Sequence, residues 1–311
     1  MATANPVQAV PAHNLSKSSR TEASAQGNVT ATDSSYIPRG DVTVTLNYFK
    51  PPEDGSKPFN YVEKQPAGQP QRNFGDFDVQ VTMKDIRGNE STYTLDKDAF
   101  AVITDVPDSA EKDFVDDESI KKNYYPEVEK LLLENVPGSN KVVLFDHTIR
   151  RSNPNAYRAP VTRVHIDQTE TSAIQRVHQH CPEEAEALLK GRYRIINVWR
   201  PINGAVQTNP LGFASSASVW SEDLIPIDHR YPDRTGQTAG VRYNPGQDWH
   251  YWSGMTNNER LLLECFDSES LKEGTTVQGG RVPHTAFVEP RAPEGAKGRE
   301  SIEVRALVFG L

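Results

Sequence analysis

From Asp41 the chain alternates. DVTVTLNYF sets β-branched and aromatic residues against polar ones at every second position, the period of a strand with one buried face. KPPEDGSKPFN (50–60) interrupts this with Pro and Gly and reads as loop. FDVQVTMKDI and STYTLDKD alternate again on either side of Arg87-Gly88-Asn89-Glu90, which predicts a β-hairpin with a Gly-containing turn. The period lengthens over 118–135, ESIKKNYYPEVEKLLLEN, where apolar residues recur at helical spacing. Pro126 suits a first turn there, and Pro137-Gly138 marks the end. KVVLFDHTIR (141–150) returns to strand, and PEEAEALLK (182–190) predicts a short helix stopped at Gly191.

Beyond Gly191 nearly every apolar run has strand character: YRIINVWRPI, FASSASVW, VRYNPGQDWHYW, ERLLLECFD, TAFVEP and SIEVRALVF. Many short strands joined by long Pro/Gly-rich loops predict a mainly β fold with flanking helices, either a barrel or a double-sheet jelly roll. Residues 1–35 show no such period. They are rich in Ala, Ser and Thr and poor in large apolar residues, so a flexible tail is expected, followed by a single domain over 36–311. That segment also lacks the apolar core of a signal peptide.

Charge and cysteine content narrow the partners. A net charge of -8 over 311 residues, without a basic run, argues against a nucleic-acid binder. No apolar stretch is long enough for a membrane span. Cys181 and Cys265 form no CxxC pattern, so neither a disulfide framework nor a cysteine zinc site is expected, and a reducing cytoplasmic location fits. The expected partner is a small molecule, with the protein a monomer or homodimer.

Candidate chemistry sits in VTRVHIDQTE (161–170). His165 and Asp167, two positions apart on a strand, point to one face, and a polar strand edge is the competing reading. A third ligand is available in His284 of GGRVPHTAF. Two His and one carboxylate on one face of a metal leave positions open for substrates, the facial triad of non-haem Fe(II) oxygenases. In SIEVRALVF, Arg305 interrupts a run that should be buried, and a buried guanidinium needs a partner. The far carboxylate of a bound 2-oxo acid would suit its planar fork.

HxD, a distant His and an Arg on a late strand together resemble the Fe(II)/2-oxoglutarate dioxygenases of double-stranded β-helix (jelly-roll, cupin-like) fold. FDHTIR, RVHIDQT, NVWRPI, CFDS and PHTAF look more narrowly like the cephem-methoxylase/gibberellin-desaturase group of fungal natural-product clusters, from about Tyr48 onward. The resemblance implies His165, Asp167 and His284 as iron ligands, Arg305 as the 2-oxoglutarate anchor, and O2 as the second co-substrate. It implies hydroxylation, desaturation or oxidative cyclisation of an amino acid or other small intermediate of secondary metabolism. The anchor usually lies nearer the distal His than the 21 positions found here, and RAPEGAKGRES, with Arg291 and Arg299, reads as an inserted surface loop.

Asn197 and Arg200 in NVWRPI are expected beside the co-substrate, although Arg200 also suits a framework role, as does His147 in FDHTIR. His250 in QDWHYW reads as part of a packed aromatic cluster, His178 and His180 as surface or helix-start residues, and DHRYPDRTG (228–236) as a loop over the cavity mouth. Two further readings share these residues: a jelly-roll binding protein without redox chemistry, and a zinc-dependent hydrolase or isomerase.

Overall fold

Fourteen strands appear among the described residues, which are 35–152 and 159–310 of this computed structural model. Apart from Ser35, the expected tail lies outside them. In chain order the strands are β1 (Val42–Lys50), β2 (Phe59–Tyr61), β3 (Gly75–Asp85), β4 (Phe100–Ile103), β5 (Ser139–Arg151), β6 (His165–Ile166) and β7 (Arg192–Pro201). They continue as β8 (Leu211–Ala214), β9 (Leu224–Arg230), β10 (Thr235–Val241), β11 (Trp249–Tyr251), β12 (Arg260–Asp267), β13 (His284–Ala286) and β14 (Glu300–Gly310). One sheet runs β1-β3-β11-β8-β13-β6-β10-β9-β2, the other β4-β12-β7-β14-β5. The helices are α1 (Leu95–Asp98), α2 (Asp117–Asn123), α3 (Tyr125–Asn135), α4 (Glu170–His180) and α5 (Ala185–Leu188), and all elements belong to one compact unit. This is the mainly β jelly-roll arrangement the strand pattern predicts.

The five-stranded sheet is covered on both faces, so its central strands read as continuous apolar runs rather than alternating ones. Every residue of β12 is buried. On the outer face Ile196, Val198, Leu262, Ile302, Val304 and Ala306 pack against Ile120, Val128 and Leu132 of α2 and α3. Truncating a side chain such as Leu132 there costs about 2–5 kcal/mol. The inner face turns Trp199, Leu261 and Leu263 toward Phe213 and Ile86 of the larger sheet's side.

Alternation therefore sorts polar residues on these strands into two populations. On β7, Asn197 shares the inner face with Ile195 and Trp199, whereas Arg200, three positions on, must share the outer face with Ile196 and Val198. On β14, Arg305 and Glu303 face inward. On β5 the register slips by one residue: Arg305 pairs with Asp146 while Ala306 pairs with Leu144, leaving Phe145 as a bulge. The bulge turns both Phe145 and Asp146 inward while His147 and Leu144 remain on the outer face.

Several local expectations change. β3 pairs with β1, not with STYTLDKD, which instead forms a 3-10 turn and α1 because the Thr94 side chain caps Lys97 N. The predicted helix over 118–135 is two helices broken at Tyr124, whose ring is buried in the core. FASSASVW is a strand only as far as Ala214, and a 3-10 turn follows. The sequence TETSAIQRVHQH forms α4, closed by a Thr169–Ser172 capping box that hydrophobic periodicity did not reveal. The expected mouth loop is the β9–β10 hairpin, with Arg230 opposite Thr235.

Candidate metal centre

Strand pairing brings the two histidines together. β6 and β13 are neighbours with His165 directly opposite His284, and on its other side His165 faces Gly240 of β10. A Cβ at Gly240 would lie 2.7 Å from the Phe49 ring, so only glycine lets β1 pack this closely behind the site. Ligand atoms of His165, Asp167 and His284 lie within 4.8 Å of one another. The two imidazole centroids are 4.4 Å apart at 54°.

Backbone carbonyls fix the rings. His165 Nδ1 lies 2.8 Å from Arg163 O and His284 Nδ1 lies 3.1 Å from Val282 O. Each contact assigns the proton to Nδ1 and leaves the Nε2 lone pair free for a metal. Asp167 Oδ1 lies 3.4 Å from His165 Nε2, while Oδ2 accepts from Asn197 Nδ2 at 2.8 Å and lies 3.9 Å from Arg305 Nη1. Burial alone would raise the Asp167 carboxyl, but His165, His284 and Arg305 hold it well below the usual carboxylate range. Burial, reinforced by His165, pushes His284 down to about 4. The site thus offers two imidazole nitrogens and one carboxylate oxygen, a donor set suited to a divalent transition metal.

Two cavities meet at this cluster. The smaller, about 30 Å³, is bounded by Trp199, His284, Thr285, Arg299 and Glu303. The larger, about 850 Å³, extends from His165 and Asp167 past α4 to the β9–β10 hairpin. Arg305 lines the larger one, but its partner is Asp146, which accepts from Nε at 2.6 Å and Nη2 at 2.7 Å. A bound dicarboxylate is the expected partner for this guanidinium; the β5 bulge supplies a carboxylate from the protein as well.

Arg299 is the larger surprise. The sequence places it in a surface loop, but it is 2% exposed, beside Trp199, and neither Nε nor Nη1 has a hydrogen-bond partner among the described residues. Burial lowers its pKa to about 9. The neighbouring Glu303 carboxyl is raised by burial and by Asp167. RAPEGAKGRES forms turns and loop as far as Arg299, which is buried, and then enters β14 at Glu300.

Arg200 does not join the site. Buried on the outer face, it stacks over Phe114 and Tyr124 and donates to Pro201 O. His147 likewise faces out, between Tyr125 Oη and Asp117, as a framework residue. His250 packs among Tyr93 and Phe100, as its aromatic surroundings predict. His178 and His180 stand at the C-terminal turn of α4, not at a helix start, and Arg291 is engaged by Glu289 and Tyr251. Sequence reasoning missed His229 of β9, which lines the large cavity, meets Thr238 Oγ1 at 3.0 Å and is lowered to about 4 by burial.

A family model described as an oxidoreductase/YMDC permease-like domain matches residues 46–309. Among the described residues no helix is long and apolar enough to cross a membrane. The hydroxylase/desaturase poxK of Penicillium oxalicum is 42% identical over 270 residues, covering 78% of this chain and 83% of the relative. The Fe(II)/2-oxoglutarate-dependent dioxygenase nvfI of Aspergillus novofumigatus is 31% identical over 264 residues, covering 82% and 92%. The chain belongs to the Fe(II)/2-oxoglutarate-dependent dioxygenases. The solved structure of the iron and α-ketoglutarate-dependent endoperoxidase NvfI superposes on this dioxygenase with a TM-score of 0.77 at 27% identity, covering 88% of this chain and 99% of that one. As a dioxygenase of this family it uses Fe(II), 2-oxoglutarate and O2 on a small-molecule substrate.

Proposed function

We propose that His165, Asp167 and His284 hold the Fe(II), that 2-oxoglutarate presents its far carboxylate to Arg299, and that the enzyme hydroxylates, desaturates or cyclises a natural-product intermediate. The observation that carries this reading is the placement of the three donors between two cavities, one ending on a buried guanidinium with free donors. When bound, the iron with 2-oxoglutarate and O2 supplies an oxidant able to break an unactivated C–H bond, and the co-substrate leaves as succinate and CO2.

The protein's own part is positional. Val282 and Arg163 carbonyls orient the rings, Asn197 fixes Asp167 Oδ2, and Arg305 favours its ionised form. Of Arg299 and Arg305, Arg299 suits the far carboxylate because its Nε and Nη1 have no partner among the described residues. Arg305 has its fork on Asp146 and turns only Nη1 toward Asp167, giving it a secondary place at the near end of the co-substrate. Asn197 serves Asp167 rather than the co-substrate directly.

Purified protein supplied with Fe(II) and 2-oxoglutarate is expected to release succinate only in the presence of O2. Activity retained anaerobically with Zn(II) would replace this reading with a hydrolase or isomerase. A monomer or homodimer in the cytoplasm remains our reading, supported by the two free buried thiols, and one domain over 36–311 by the shared cores of the two sheets.

A further inference from the structure

The large cavity is strongly cationic in a protein whose net charge is -8. Arg150, Arg163, Arg176, Arg234 and Arg305 line it, and Asp167 is the only acidic residue on its wall. Four of the five have a partner in the protein. Arg150 donates to Ala159 O, Arg163 lies 3.9 Å from Asp76, Arg234 pairs with Asp233, and Arg305 forks onto Asp146.

Arg176 differs. It projects from α4, the helix that follows the HxD pair, on the face that also carries Ser172, Gln175 and Gln179 into the cavity. The opposite face of α4 is fixed in the core by Ala173 and Val177. Arg176 stacks on the Phe145 ring at 5.2 Å and is attracted by Asp146, whose carboxylate is already forked by Arg305; it makes no hydrogen bond or ion pair among the described residues, and Arg305 and Arg234 both repel it. A half-buried guanidinium set against two like charges is costly unless an anion completes it. The partly exposed Arg234–Asp233 pair across the mouth is held only weakly, so its guanidinium can also turn to a ligand.

We propose that the substrate carries an oxyanion, such as a carboxylate, which docks on Arg176 with help from Arg234 while the reacting carbon lies toward His165 and Asp167. This rests on the function proposed above and narrows it: the outer cavity selects an anionic small molecule, not a neutral hydrocarbon skeleton. Glutamine side chains at 175, 179 and 237 add hydrogen-bonding capacity around the same wall. The positive interior also steers anions into the cavity against the negative net charge of the whole protein.

A matched pair of probes tests the idea without the natural substrate. Anaerobic protein loaded with Fe(II) and 2-oxoglutarate is titrated by fluorescence with 8-anilinonaphthalene-1-sulfonate and with N-phenyl-1-naphthylamine, the same skeleton without the sulfonate. The anion is expected to bind at least about fivefold more tightly. Arg176→Gln should weaken the anion about tenfold and the neutral probe less than about twofold, and Arg176→Lys should restore most of the difference, since a charged hydrogen bond is worth roughly 1.5–3 kcal/mol. Equal binding of the two probes, or anion binding indifferent to Arg176→Gln, overturns the proposal. So does a variant that loses 2-oxoglutarate instead, read from the visible absorption of the Fe(II)–2-oxoglutarate complex. Failure of that absorption in the wild type would sink the iron site itself, whereas the probe difference still reports on the cavity wall.

Discussion

The two cavities that meet at the His–Asp–His cluster are built on different principles. The inner one holds about 30 Å³, is walled by strands of both sheets, and carries two guanidinium groups, Arg299 and Arg150, of which Arg150 also borders the outer cavity. The outer one holds about 850 Å³ and is walled by a helix face and a hairpin, with several arginines and glutamines. Rigid strand walls suit a ligand that never varies, which is the situation of a co-substrate. Adaptable walls on α4 and β9–β10 suit a ligand that differs from one relative to the next. The cluster belongs to both.

The sharpest way to break this comparison is to remove the element the cavities share. His165→Ala or Asp167→Ala should lower succinate formation by at least about a hundredfold and lower iron content in parallel, because two remaining ligands hold the metal poorly. Full turnover in either variant would dissolve the site. Next in size, Arg299→Gln should raise the KM for 2-oxoglutarate by roughly thirty- to a hundredfold, the worth of a buried charge-assisted pair. Arg305→Gln should raise it less, and Arg291→Gln not at all; the reverse order would hand the anchor back to Arg305.

A third test uses one histidine from each side. His284 on the inner cavity and His229 on the outer are both depressed to about 4, chiefly by burial. Between pH 6.5 and 4 the unfolded chain takes up protons that these buried rings refuse, so stability of the metal-free protein should fall as pH drops through that window and be flat above it. Each ring contributes at most about 3 kcal/mol. Asp167 acts in the same direction in a lower window: its depressed carboxyl contributes stability that is lost only at still lower pH. Thermal melts at pH 7 and 5 should therefore differ, and His229→Asn should shrink the difference; identical melts would remove the assignment. The smallest kinetic effect is expected at Arg200. Arg200→Met should leave the KM for 2-oxoglutarate unchanged and lower the melting temperature, since its contacts are the Phe114 and Tyr124 rings under α3.

Much of this architecture was legible in the sequence. Alternation located β1, apolar strand-like runs located β5, β7, β12 and β14, and HxD with a distant His singled out the three residues that strand pairing brings together. What escaped notice depended on facing direction. NVWRPI places Asn197 and Arg200 three positions apart, so a strand cannot aim both inward, and a parity count would have excluded one of them. Nothing in RAPEGAKGRES tells that its last Arg is buried, because burial there comes from Trp199 on a strand a hundred residues away in sequence. α4 was overlooked because its apolar face is narrow, although the Thr169–Ser172 cap was available as a signal. His229 and Arg176 gained their meaning only when the hairpin and helix closed around one space.

The Phe145 bulge has a consequence for how such a sequence can change. A single-codon deletion of Phe145 itself would leave Leu144 opposite Ala306 and Asp146 opposite Arg305 in one regular strand, with Asp146 still facing in and His147 still facing out. A deletion in a regular stretch of β5 would instead turn the residues on one side of it to the opposite face. Point substitutions around the outer cavity can be tried one at a time, whereas a change in the length of β5 keeps its facing only at Phe145.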